Sequence, residues 1–182
     1  SEDLLDNTDY DVYVVSQFEE ESDIIEFQDE IDDDTGVVYA DGWSSNSVNS
    51  LNALVDEIGD PAETDSSFSG TGDVVLELTD DHPLFDGVGE AGDVITHLDG
   101  VEGSQDRRWF SDYSGEVVAD VGLDGDEVDG AGIGVSDDGS EVILASHARW
   151  SSSFTPDEAF TEESNQIVFN AIEYVASDDG DS

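Results

Sequence analysis

Short apolar blocks alternate with acidic, glycine-containing stretches along this chain. Tyr10–Ser16 (YDVYVVS) is one such block, with the unbroken apolar character of a buried strand. In EEESDIIEFQDEID, residues Ile24, Ile25, Phe27 and Ile31 recur at near-helical spacing, which predicts a helix over about 19–32. TGVVYADG predicts a second buried strand ending near Asp41. SNSVNSLNALVDEIGDP then places Val48, Leu51, Leu54, Val55 and Ile58 on one side of a helix. Ser45 or Ser47 can cap its start, and Gly59 with Pro61 ends it. A strand–helix–strand–helix order calls for right-handed crossovers and a parallel sheet.

The middle of the chain changes character. DVVLELT (Asp73–Thr79) predicts a strand, DDHPLFDGVG a turn-rich link and GDVITHL another strand. GEVVADVG and GAGIGVS follow, and SDDGS (Ser136–Ser140) joins the latter to EVILASH. Asp138-Gly139 between two apolar runs predicts a hairpin, with Val142–Ser146 as the last strand. After a polar loop, TEESNQIVFNAIEYVAS sets Ile167, Val168, Ala171, Ile172 and Val175 on one helical face. Thr161, with Glu163 or Ser164 nearby, marks that helix's start. The expected architecture is a single three-layer α/β domain over 10–176. It has a mostly parallel sheet, helices on both faces and an antiparallel hairpin near one edge. A polar lead-in (1–9) precedes it and an acidic, linker-like tail (177–182) follows.

Charge changes the picture of the setting. Among 182 residues there are 49 Asp+Glu and 3 Lys+Arg, a net charge of −46. The apolar residues, 36% of the chain, fall in compact runs interleaved with the acids, which argues for a folded core over a disordered acidic tail. Small domains usually carry a net charge of magnitude roughly 2–8. At −46 the compact state repels itself in dilute buffer. The Debye length shrinks from about 10 Å at about 0.1 M salt to about 3 Å at about 1 M, so brine removes most of that repulsion. The only cations are Arg107, Arg108 and Arg149. Lysine, with its long hydrocarbon stem, is absent. This composition resembles that of proteins from extremely halophilic archaea.

Nucleic acid and anionic membrane are poor partners, because phosphate binding needs a basic footprint that three arginines do not supply. No apolar run approaches the roughly 18 residues of a membrane span, so no membrane insertion is expected. No secretory signal is recognisable at the N-terminus. The chain has no cysteine, hence no disulfide, thiolate zinc site or thiol nucleophile. No organic cofactor is expected. Loosely held Na⁺, K⁺ or Mg²⁺ are the natural counterparts of the acids, with Ca²⁺ as a weaker candidate. The nearest approach to a calcium loop is DGDEVDG, with Asp124, Asp126 and Asp129, but Val128 stands where the pattern needs a third ligand.

YDVYVVS, a helix, GVVYADGW, a second helix, HPLFDGVG, a hairpin, VILASHARW and a helix ending NAIEYVAS together resemble the class I glutamine amidotransferase-like superfamily. The likeness is greatest to a divergent branch found as modules in haloarchaeal cell-surface or secreted proteins. It spans about Tyr10 to Ala176 and implies a flavodoxin-like core. Active members carry a cysteine in a strand–turn–helix elbow and a histidine at the end of a later strand. Here Ala40, Asp41 or Gly42 occupies the elbow, and His147 matches the histidine, followed by Ala148-Arg149 instead of Pro-Glu. The superfamily's thiol mechanism is therefore excluded.

The candidate ligand site is the crevice at the carboxyl ends of the strands, with Asp41, Trp43, Ser44, His147, Arg149 and Trp150. An acid, an imidazole, a guanidinium and two indoles suit a carbohydrate or another polar organic ligand. The competing reading has Trp43 and Trp150 covering the core and Asp41 pairing with Arg149 or capping a helix. Asp41 with His147 could also act as a thiol-independent hydrolase or transferase pair, activating water or Ser44. His82 reads as a structural turn residue and His97 as a partly exposed strand residue. Arg107-Arg108-Trp109-Phe110 is the one basic and aromatic patch, a candidate interface in a homo-oligomer or pairing partner for acids. The leading expectation is a non-catalytic structural, adhesion or ligand-binding module beside other domains of a surface or secreted halophile protein. A high-salt cytoplasm is the alternative location, and a subunit of a filament or surface layer an alternative role.

Overall fold

The computed structural model describes residues 10–15, 21–31, 35–40, 64–69, 72–100, 105–110, 113, 115–147 and 159–177. Strand β1 (Val12–Val15) leads through helix α1 (Glu21–Glu30) to β2 (Gly36–Ala40), and then come β3 (Thr64–Ser69) and β4 (Val74–Leu78). A 3-10 turn (Pro83–Phe85) lies between β4 and β5 (Val94–Leu98). β6 (Gln105–Phe110), β7 (Glu116–Leu123), β8 (Val128–Val135), β9 (Glu141–Leu144) and helix α2 (Glu162–Ala176) complete the order.

The strands form one mixed, strongly curled sheet. Its main path runs β1-β2-β9-β8-β7-β4-β5, and β6 attaches to β8 through Phe110 and Ala131 and carries β3 on its other side. Among the described residues, only β1–β2 and β2–β9 pair in parallel, and every other pair is antiparallel. This overturns the expected three-layer, mostly parallel α/β sheet with helices on both faces, and the flavodoxin-like core with it. Strands outnumber helices among the described elements. The physical reason lies in the connections. An unbroken apolar run marks a strand, not which way it runs, nor always its burial: Val14 in β1 is 50% exposed. Direction follows from the link, and β7–β8 and β8–β9 are joined by turns too short for a parallel crossover. The strap between β4 and β5 contains proline and glycine and holds only the 3-10 turn, so no crossover helix forms there.

Other local expectations agree with the structure. The β1–α1–β2 unit is parallel, the Asp138-Gly139 hairpin joins β8 to β9, and Thr161 caps α2 by accepting from the Ser164 amide at 3.2 Å. Glu162 and Glu163 sit in the first turn of α2, where the helix dipole favours them. The helix expected over the SNSVNSLNALVDEIGDP stretch lies outside the described residues. Strands β3 and β6 had no counterpart in the apolar pattern, because TDSSFS is largely polar and QDRRWF alternates charge with aromatic rings.

Side-chain alternation divides the core between two faces. Val38 of β2 and Val142 and Leu144 of β9 join the larger cluster, with Ile167, Ala171 and Val175 of α2. Val37, Tyr39, Ile143 and Ala145 face the other way, with Phe110 and with Phe27 of α1. α2 reaches β2 closely at Gly36, where a Cβ would meet the Val175 backbone and lie 2.7 Å from its Cβ. Glycine at this position is what lets the helix lie against the strand.

Candidate functional site

The parallel trio β1-β2-β9 ends on one edge of the sheet, where the sequence places its crevice. Asp41, Trp43, Ser44, Arg149 and Trp150 lie outside the described residues. His147 leaves β9 at this edge and is 1% exposed. Its ring lies against that of His97 from β5, with centroids 4.0 Å apart and planes tilted by 38°. His97 is wholly buried, not partly exposed as its position at a strand end suggested.

A network of short hydrogen bonds surrounds His97. Its Nδ1 lies 2.5 Å from Ser164 Oγ and its Nε2 2.8 Å from the Ser146 carbonyl oxygen. A carbonyl oxygen only accepts, so Nε2 carries a hydrogen. Ser164 Oγ also donates to the His97 carbonyl at 2.6 Å. Thr161 Oγ1 donates to the Thr96 carbonyl at 2.7 Å. Phe160 presents its ring edge-on to His97, centroids 5.4 Å apart, and Phe160 pairs with Leu98 as a β-bridge. On the other side, Ser146 Oγ accepts from the Arg108 amide at 2.8 Å and donates to the Arg108 carbonyl at 2.9 Å. Three side chains, His97, Ser146 and Ser164, thus tie β5, β6, the end of β9 and the first turn of α2 together.

Ser164 and His97 have the residue types of a nucleophile–base pair, but both are wholly buried. The Ser164 hydroxyl lies between its histidine and a backbone carbonyl. A nucleophile must reach its substrate, so this geometry suits a structural knot. The sequence offered one signal for it. Ser164 and Ser146 are small polar residues set into otherwise apolar positions, where a buried hydroxyl needs a partner.

The basic and aromatic patch resolves into the two faces of β6. Arg108 and Phe110 are each 1% exposed, and Phe110 packs edge-on against Tyr113 at 5.3 Å. Trp109 is half-buried on the opposite face, against the larger core cluster. Arg107 belongs to the same strand, but its side chain is not among those described. Asp124 and Asp126 stand exposed in the β7–β8 turn, with Asp129 half-buried at the start of β8. The Asp126 amide donates to the Leu123 carbonyl at 3.0 Å and Gly125 adopts φ +82°, so DGDE serves to reverse the chain. No group of three metal-ligating side chains converges among the described residues.

Several acids are tuned by their surroundings. The Asp138 carboxylate accepts from Ser136 Oγ and Ser140 Oγ, both at 2.7 Å, and from the Ser140 amide at 3.0 Å. These bonds hold its pKa below the ordinary aspartate value. Burial pushes Glu141 up despite a hydrogen bond from the Tyr39 hydroxyl at 3.2 Å, and the Asp138 charge adds to the rise. Burial and the Glu141 charge raise the Tyr39 and Tyr113 phenols. Burial also raises Asp120, helped by Glu77.

No protein-family model matches the chain, and no curated protein matches it in sequence.

Proposed function

We propose that this chain is a non-catalytic module, structural, adhesive or ligand-binding, of a cell-surface or secreted protein working in molar salt. The observation that carries this reading is the ratio of 49 acids to 3 basic residues in a chain that still builds a curled, apolar-cored sheet. Two further features support it. The chain has no cysteine and so no thiol nucleophile. Its buried histidine and serines are engaged in joining strands to a helix.

The test is a thermal melt followed by circular dichroism, in KCl from about 0.1 M to about 3 M, spanning the collapse of the Debye length. Cooperative melting in brine is expected, with Tm falling steeply as salt is withdrawn. A neutral osmolyte at matched osmolality is expected not to restore it, because it does not screen charge. A cooperative melt with unchanged Tm in nearly ion-free water would overturn the reading.

A further inference from the structure

The strap between β4 and β5 contains a hydrogen bond that depends on the protonation state of a histidine. His82 stands half-buried before Pro83 in extended backbone (φ −123°, ψ 147°), the conformation that a following proline favours. Its Nδ1 accepts from the Leu84 amide at 3.3 Å and so caps the 3-10 turn Pro83–Phe85. Its ring lies against Tyr174 of α2, with centroids 4.9 Å apart, and edge-on to Phe85 at 6.5 Å. Asn170 of α2 holds the same strap, donating from Nδ2 to the Leu84 carbonyl at 2.9 Å and the Asp86 carbonyl at 3.0 Å. Leu84 and Phe85 are buried beneath. Of these ties only the one made by His82 responds to mild acid.

We infer that His82 is an acid-sensitive latch, whose protonation uncaps the Pro83–Phe85 turn and loosens the strap from α2. A ring nitrogen that has gained a hydrogen cannot accept, so Nδ1–H would face the Leu84 N–H, donor against donor. The groups around the ring fix the direction. Burial holds the His82 pKa below the ordinary histidine value, and the Asp80 charge, from its own segment, opposes this. From α2 it meets the Tyr174 phenol, whose own pKa is raised by burial and by Glu116 of β7 and Asp138 of the β8–β9 turn. With its folded-state pKa lowered, the latch contributes stability above the ordinary histidine value of about 6.5 and loses it as pH falls through the folded value. Salt enters through Asp80. Brine weakens that carboxylate's pull on the imidazolium, so the latch holds to lower pH in molar KCl than in dilute buffer.

The test is an NMR titration of the full chain in molar KCl, reading the His82 ring, the Tyr174 ring and amide exchange at Leu84 and Phe85. Leu84 exchange, corrected for its intrinsic pH dependence, is expected to quicken roughly three- to tenfold as His82 protonates. The Tyr174 ring signals should move with the same midpoint. In His82→Asn the Oδ1 accepts at every pH, so the turn stays capped and the inflection disappears. Unchanged Leu84 protection through the His82 titration would overturn the latch, as would an inflection that survives in His82→Asn. The wild-type titration decides even where the variant folds poorly.

Discussion

Two polar knots in this molecule solve the same problem with different residues. The knot around His97 is buried and uses two hydroxyls and an imidazole, with no carboxylate, to join β5, β6, the end of β9 and α2. The Ser136–Asp138–Ser140 turn is largely solvated and is built on a carboxylate that accepts three hydrogen bonds. The contrast shows how a chain with 49 acids keeps a core. A buried carboxylate without a cation costs several kcal/mol. Interior ties therefore go to His, Ser, Thr and Asn, and acids are used where water and salt screen them. Glu141 marks the boundary. It is half-buried, bonded to Tyr39, and its charged form is disfavoured.

The contrast can be tested by removing each knot in turn. His97→Phe keeps an aromatic ring in place but strips both hydrogen bonds, leaving the Ser146 carbonyl and Ser164 hydroxyl to find other partners. Destabilisation of about 2–4 kcal/mol is expected, read from denaturant melts in molar salt. A loss below about 0.5 kcal/mol would show that the buried knot contributes little. Ser164→Ala removes one member and shortens nothing else, so about 1–2 kcal/mol is expected by the same measurement. Asp138→Ala comes last. The lowered Asp138 pKa means that its contribution is present above the ordinary aspartate range and lost as pH falls through the folded value. Solvent screens this exposed group, so the variant should lose less than about 1 kcal/mol at neutral pH. It should match the wild type in acid, where the carboxylate is already neutral. A constant difference across the pH range would assign the effect to turn geometry alone.

Legibility in the sequence differed in the same way between regions. The β1–α1–β2 unit, the β8–β9 hairpin and α2 with its Thr161 cap were readable because each rests on contacts between near neighbours. Strands β3 and β6 were not, because their polar residues are drawn into the sheet by pairing partners distant in the chain. Of the candidate crevice, only His147 lies among the described residues. His147 stands where its strand-end position placed it, but the partner its ring meets is His97, fifty residues earlier on an edge strand. Nothing local to either histidine announces that contact.

By itself, the order of residues determined the net charge, the apolar blocks and the places where the chain turns. Charge, hydrophobic period and turn chemistry are properties of neighbours, and they survive in any fold. Strand direction, the curl of the sheet and the identity of the buried polar partners were decided by tertiary structure. They depend on which distant segments meet, and only the assembled sheet specifies that.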